Sequence, residues 1–357
     1  MTAQPALRAR DDIADLDPYV SPQHRARYRL STNESPYPPP VGLVRDVVEA
    51  LTEISFNRYP DNDARRLVRA VAERNAWRPE GVWVANGSNE IFLHFFLAFG
   101  GPERSALLFA PTYSLHSSIP RITGTRVSRA ERDEQFTIDL EAALATIRRE
   151  RPAVVIVCSP NNPSGTSEPV PTIRALAEAA PGLVVVDEAY IEFADPSDSA
   201  APLLEEHANL VVVRTFSKAW RLAGVRIGYM LADPTIVSEL RRVRLPYHLS
   251  AVTQAMGLAA LAHAPETLQA VQAITEERER VALELQAMGI MAHPSRANFI
   301  LYEVHDAARV WRSLLRRDVL VRRYPRQPRL GDCLRVTIGL PEENDAFLAA
   351  MAEALGE

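Results

Sequence analysis

Four short runs constrain this chain more than anything else in it: AVVIVCSP at 153–160, LVVVDEAY at 183–190, LVVVRTFS at 210–217 and IGYMLAD at 227–233. Each holds apolar residues in succession, without the alternation of a strand that shows one face to water. Strands read this way when both faces are covered, as in a mainly parallel sheet packed between helices. The stretches between them, such as DLEAALATIRRE and PTIRALAEAA, have apolar residues at helical spacing and supply the crossovers that parallel pairing requires. Upstream, VWVANGS and ALLFAP extend the pattern, and SNEIFLHFFLAFG reads as a helix with Ser88 in the cap position. The expected fold class is α/β, a large domain with a mainly parallel sheet flanked by helices.

Past Asp233 the strands pause, and Pro265 to Met288 reads as one long helix able to bridge two domains. Strand NFILYEV, helix AARVWRSLLRR, strands VLVRR and CLRVTIG and a last helix from Glu342 follow, an α+β pattern. The expected organisation is an N-terminal arm over 1–40 that is part of the small domain and the dimer contact, a large cofactor-binding domain over 41–250 and a smaller α+β domain over 251–357. The arm ends in NESPYPPP, cannot be helical past Ser35, and is expected to run extended over the surface.

Composition excludes several function classes. Net charge is −5 over 357 residues with both signs dispersed, so no basic stripe points to nucleic acid. No apolar run reaches the length of a membrane span, and MTAQPALRARDD lacks an apolar leader core. The two cysteines, Cys158 and Cys333, are far apart and outside any metal-ligand spacing. No metal is therefore expected, and a reducing cytoplasm is.

Lys218 is the only lysine among 40 Lys and Arg residues. Arginine matches lysine for solubility and exceeds it in bidentate ion pairing. What a guanidinium cannot do is act as a free amine and form an imine with a carbonyl. A lone lysine in an arginine-rich chain therefore suggests Schiff-base chemistry, with a carbonyl substrate or with pyridoxal phosphate.

Ligands of open parallel sheets collect at the carboxyl ends of the strands, so the polar residues there are the candidates. Gly87, Ser88 and Asn89 open a helix, whose amides and dipole suit a phosphate. Asn162, in NNPSG, either donates to a phenolate-like oxygen or belongs to a plain loop. Asp187 ends an apolar strand and needs a cation or a helix to cap. Ser217 and Arg226 flank the lysine and could pair with a phosphate; the bland alternative for Arg226 is a surface cation. Tyr113 either stacks on an aromatic ring or is a half-buried core tyrosine. His94, His116 and His248 default to core or surface roles, with a substrate contact open to His116.

Asn-Pro-x-Gly, Asp-x-x-Tyr, Ser-Lys and Arg, each after an apolar strand, form the sequence pattern of the fold-type I pyridoxal-phosphate aminotransferases. Among these the chain resembles the histidinol-phosphate aminotransferase family nearly end to end. Its supporting stretches include LSTNESPYPPP, RYPDND, ANGSNEI, PTYSLH, SPNNPSG, VVDEAYIEF, TFSKAWRLAGVRIGY and CLRVTIG. The resemblance implies pyridoxal 5′-phosphate as cofactor, with Lys218 as the imine-forming and proton-shuttling residue and Asp187 as partner of the pyridinium nitrogen. Asn162 and Tyr190 resemble the donors to the ring hydroxyl oxygen, and Tyr113 the stacking residue. Gly87, Ser88, Asn89, Ser217 and Arg226 resemble the phosphate cup. Tyr59 resembles a tyrosine reaching the phosphate from the neighbouring subunit of a homodimer with a shared active site, to which the N-terminal arm would contribute contacts. Tyr19, Asn33, Arg322 and Arg335 fall where the family recognises the substrate anion.

The implied reaction is transamination between a small-molecule amino donor and an oxo acceptor: histidinol phosphate and 2-oxoglutarate giving imidazole-acetol phosphate and glutamate. Transamination of aromatic or other 2-oxo acids is the alternative, ahead of decarboxylase, oxidase or non-catalytic roles on the same fold. One departure from the family is the surplus of Arg323, Arg326 and Arg329 in VLVRRYPRQPRLGDCLRV, expected to be solvated surface rather than part of an anion site.

Overall fold

The computed structural model describes residues 10, 11, 13, 14, 16 and 24–357. Strand β1 (Tyr28–Leu30) is followed by helices α1 (Val41–Glu53) and α2 (Arg65–Arg74). The runs read as buried strands then alternate with helices: β2 (Val82–Ala85), α3 (Ser88–Phe99), β3 (Ser105–Ala110), α4 (Leu115–Ile122), β4 (Arg126–Glu131), α5 (Leu140–Glu150) and β5 (Val154–Cys158). The alternation closes with α6 (Val170–Ala179), β6 (Leu183–Asp187), β7 (Leu210–Thr215) and β8 (Gly228–Ala232). Helices α7 (Pro234–Leu240), α8 (Ala251–Ala262) and α9 (Ala264–Ala287) lead into β9 (Met291–Ala292) and β10 (Phe299–Glu303). The chain ends with α10 (Ala307–Arg316), β11 (Val319–Arg323), β12 (Cys333–Thr337) and α11 (Pro341–Leu355).

Seven strands form one sheet in the order β2-β8-β7-β6-β5-β3-β4, with only β8 antiparallel to its neighbours. Successive residues of its central strands enter different cores. Val155, Val157, Val184 and Val186 pack with Leu67 of α2, Ile147 of α5 and Ile173 of α6. Ile156, Val185, Val211 and Val213 pack instead with Phe92 and Phe95 of α3 and Ile236 of α7. Both faces are dry, which is why these strands are apolar without alternation; each valine so buried contributes about 1.5–3 kcal/mol.

A second sheet has the order β1-β11-β12-β10-β9, with β1 parallel to β11 and the other pairs antiparallel. The arm is therefore not merely extended over the surface: residues 28–30 complete this sheet. Strand β4 escaped sequence reading because it is a half-exposed edge strand, RVSRAE, with no apolar run. The long helix is present as α9, and its buried Arg278 donates to the Phe193 carbonyl (3.4 Å), in the segment after β6, and to the Ala297 carbonyl (3.1 Å), ahead of β10.

Candidate active site

The loops leaving β2, β3, β5, β6 and β7 converge on one cavity of about 380 Å³, closed on its other side by residues 31–34 and by β11 and β12. Because β8 runs against its neighbours, Arg226 just ahead of it also falls at this edge.

One end of the cavity is an anion cradle. Gly87 (φ 84°) is the N-cap of α3, and Ser88 is its first helical residue, so the helix begins one position earlier than expected from sequence. No side chain caps this helix, so the first amides remain as donors at the positive end of its dipole. The turn fits only without side chains at two points. A Cβ on Gly87 would lie 2.7 Å from Arg226 Nη2, and one on Gly228 would lie 2.5 Å from the Ser88 amide nitrogen. Arg226 Nη1 donates to Ser217 Oγ (3.3 Å) and to the Ala223 carbonyl (3.0 Å). Ser88, Asn89, Ser217 and Arg226 all line the cavity.

Lys218 and Asp187 share the same space. Lys218 Nζ donates to the Thr32 carbonyl (3.0 Å). Burial, reinforced by the Arg335 guanidinium, lowers its pKa from 10.5 to about 8. Asp187, at the end of β6, is 3% exposed. Its Oδ1 accepts from the Ala189 amide (3.2 Å), and its Oδ2 meets His116 Nε2 at 2.8 Å. His116 is thus a core residue, in keeping with its default reading, with its ring spent on Asp187. In PTYSLH this histidine is the second residue of α4, and no local sequence signal pairs it with Asp187. Cys158 also lines the cavity, but burial pushes its thiol up to about 12, so it stays protonated.

Tyr190 and Asn162 meet as expected. The Tyr190 hydroxyl oxygen accepts from Asn33 Nδ2 (2.9 Å) and Asn162 Nδ2 (3.4 Å), and burial raises its pKa above the usual phenol range. Asn162 Oδ1 accepts from Arg335 Nη1 (2.6 Å), whose Nη2 donates to the Ser31 carbonyl (2.8 Å). Arg335 Nε is buried without a partner. Directly across the β11–β12 pairing stands Arg322, which meets no carbonyl or carboxylate among the described residues. Asn33, expected at the substrate anion, lines the cavity but is 1% exposed, and both ends of its amide are engaged. Besides its bond to Tyr190, it accepts from Thr337 Oγ1 (3.1 Å).

Tyr113 lines the cavity and stands edge-on to His116 with ring centres 5.4 Å apart. Tyr59 is not in this cavity; it is 79% exposed and stacks on Tyr247 (4.3 Å). Tyr19 lies outside the described residues. Of the surplus arginines, Arg329 is a clasp rather than a freely solvated cation. It donates to the Arg132 (2.5 Å) and Asp133 (2.6 Å) carbonyls and lies over the Phe136 ring. Sequence reading passed over Thr32 and Glu34, which line the cavity beside Lys218.

Residues 28–351 match the family described as aminotransferase class I and II. The chain is 45% identical over 364 aligned residues to a histidinol-phosphate aminotransferase of Mycobacterium avium, covering 99% of this chain and 90% of that protein. To the protein of the same name from Thermobifida fusca it is 44% identical, covering 98% and 96%. Among solved structures, the histidinol-phosphate aminotransferase of Sinorhizobium meliloti, in complex with pyridoxal-5′-phosphate, superposes with a TM-score of 0.89 at 25% identity, over 99% of both chains. The L-threonine-O-3-phosphate decarboxylase of Porphyromonas gingivalis shares the fold at 23% identity, with a TM-score of 0.81 over 92% of this chain and 99% of that one.

Proposed function

Because this chain belongs to the aminotransferase class I and II family, we propose that it moves an amino group from histidinol phosphate to 2-oxoglutarate, with pyridoxal 5′-phosphate as cofactor. The observation that carries this reading is the only lysine of the chain, its pKa lowered to about 8, in one cavity with a buried aspartate, an anion cradle and two opposed arginines.

The residues fit the cofactor. At the side-chain-free turn of Gly87, where a Cβ would collide with Arg226, the donors stand close together. The α3 amides, Ser217 and Arg226 would hold that phosphate. Asp187, oriented by His116, would pair with the ring nitrogen, Asn162 and Tyr190 with the ring hydroxyl oxygen, and Tyr113 with the ring face. Pyridoxal 5′-phosphate supplies, when bound, an aldehyde and a ring that accepts electrons from the carbon bearing the amine.

Lys218 attaches the cofactor and, once released, takes and returns the proton at the substrate Cα. With a pKa of about 8, about a tenth of it is the neutral amine at pH 7, against about three in ten thousand for an unperturbed lysine. Arg322 and Arg335 receive the phosphate of one substrate and a carboxylate of the other.

The working unit is a homodimer in the cytoplasm. Tyr59 and Tyr247, stacked on each other, and Phe56 and Leu245 are large exposed side chains suited to a second copy, from which Tyr59 would reach the neighbouring phosphate. Both cysteines are free, which suits a reducing compartment. The division into an arm belonging to the small domain (1–40), a cofactor domain (41–250) and a small domain (251–357) is supported by the two sheets, the smaller of which takes β1 from the arm.

A half-reaction panel tests the reading: histidinol phosphate, phenylalanine, tyrosine, leucine and arginine are each scored for pyridoxamine phosphate formation. Histidinol phosphate should lead in kcat/KM by at least about tenfold, the value of one charged contact. A lead by phenylalanine or tyrosine would move the assignment to aromatic transamination.

A further inference from the structure

With the cofactor assignments made, Arg226, Asp187 and Lys218 are matched, and three charges facing the cavity are left. Arg322 and Arg335 stand opposite each other on the small sheet, and Glu34 stands on the segment after β1. Two guanidiniums suit the dianion of a phosphomonoester. A carboxylate in the same cavity does not, and a substrate that was only a phosphate on an apolar ring would leave it without use.

Glu34 is held rather than trailing in solvent. Thr32 Oγ1 donates to its Oε2 at 2.7 Å, and the carbonyl of that same Thr32 meets Lys218 Nζ. Between them Asn33 is in the left-handed region (φ 56°) and is pinned from several sides. Its amide donates to Thr337 Oγ1 (2.9 Å), its carbonyl accepts from Asn298 Nδ2 (3.1 Å), and its side chain is engaged as described above. A pinned residue with positive φ fixes the direction in which its two neighbours leave the chain. The acid is close enough to Lys218 for its charge to oppose the lowering of the lysine pKa. The bond from Thr32 uses one of about four acceptor positions on a carboxylate, and no cation is paired with Glu34 by a salt bridge among the described residues. Its residue is exposed, so a substrate reaches it without a buried charge first being uncovered.

We propose that Glu34 is a specificity residue, accepting a hydrogen bond from a ring N–H, or pairing with an imidazolium, on the amino substrate. The cavity then selects a phosphomonoester that carries a nitrogen-bearing ring, recognised by two arginines and a carboxylate that line the same space. Glutamate, with two carboxylates and no ring, gains nothing from Glu34. This inference rests on the histidinol-phosphate reading above.

The test compares the cofactor-loaded wild type with Glu34→Gln and Glu34→Asp, using histidinol phosphate and glutamate as separate donors. In Glu34→Gln, kcat/KM for histidinol phosphate should fall about tenfold, chiefly through KM, as expected for one hydrogen bond to a charged group. The value for glutamate should stay level or rise, and Glu34→Asp should lie between. In the wild type, KM for histidinol phosphate should climb as pH passes the imidazole pKa, near 6.5, and Glu34→Gln should flatten that climb. Equal losses on both donors would mark Glu34 as merely structural and overturn the inference, as would no change on either. If the wild type turns over histidinol phosphate and Glu34→Gln matches it, only this inference falls. If the wild type ignores histidinol phosphate but accepts another donor, the substrate reading falls and takes the inference with it.

Discussion

On the wall of the cavity made by the large sheet, the Asp187, Arg226 and Tyr190 side chains already have protein partners, whereas on the wall made by β11 and β12 charge is left over. Asp187 is bonded through both oxygens, Arg226 has two acceptors, and the Tyr190 hydroxyl takes two donors. Across the cavity, Arg335 keeps an unpartnered buried Nε and faces Arg322 in direct register. Like charges directly opposite on neighbouring strands cost up to about 1 kcal/mol. The difference matches what each wall does. A cofactor that stays can be met by a prebuilt, satisfied framework, but substrates that come and go are best met by charge that only they neutralise.

The largest effect should come from Lys218→Arg, which keeps the charge and removes the amine. Single-turnover activity with histidinol phosphate should drop by about 10⁴-fold, the upper range for a proton-transferring group. Borohydride should then fix no cofactor to the chain. Retention of even a few per cent of the wild-type rate would break the distinction, because the chemistry would no longer need the satisfied wall's one amine.

A paired comparison tests the two walls by stability as well as by activity. Arg322→Leu should raise KM for histidinol phosphate about 10- to 100-fold, yet leave the cofactor-free protein slightly more stable, by about 0.5 kcal/mol, because a like-charge pair is relieved. His116→Ala should do the reverse to stability, costing about 3 kcal/mol by stranding the buried Asp187 carboxylate. Urea denaturation of the two variants reads both signs. If Arg322→Leu destabilised as strongly as His116→Ala, the arginine wall would be structural rather than held for a ligand.

The same contrast explains what sequence could and could not show. The satisfied wall is built from residues that directly follow apolar strands, so strand ends and side chains are read off together: Gly87 after β2, Asn162 after β5, Asp187 at the end of β6 and Lys218 after β7. The arginine wall comes from β12 and β11, and its approach to Lys218 is a tertiary event carried by β1 and residues 31–34. Residue choice alone cannot say that Asn33 turns left-handed and spends its amide on Tyr190 and Thr337. Nor can it say that His116 crosses to Asp187, 71 residues on. Arg329 misled for a related reason: its carbonyl partners belong to residues 132 and 133, nearly 200 positions earlier. Edge strand β4 lacked the dry faces that made the central strands legible.

The smallest effect lies where the walls meet, at Lys218 itself. Its pKa is lowered to about 8, first by burial and next by Arg335. The neutral, reactive amine therefore forms as pH rises through 8. In the cofactor-free protein, the rate of attachment of pyridoxal 5′-phosphate to Lys218 should rise about tenfold between pH 7 and pH 9 and then level off. Borohydride reduction and peptide mapping would separate this lysine from the chain's α-amino group. Stability should follow the same linkage. Between pH 8 and 10.5 the unfolded chain holds a lysine proton that the folded protein lacks, so stability from this group rises with pH across that window. Arg335→Met removes the repulsive cation and should move the attachment midpoint upward. A midpoint unchanged by Arg335→Met would mean that burial alone tunes the amine and that the arginine wall acts only on substrates. A rate still climbing tenfold per unit above pH 9 would mean that the amine is not lowered at all.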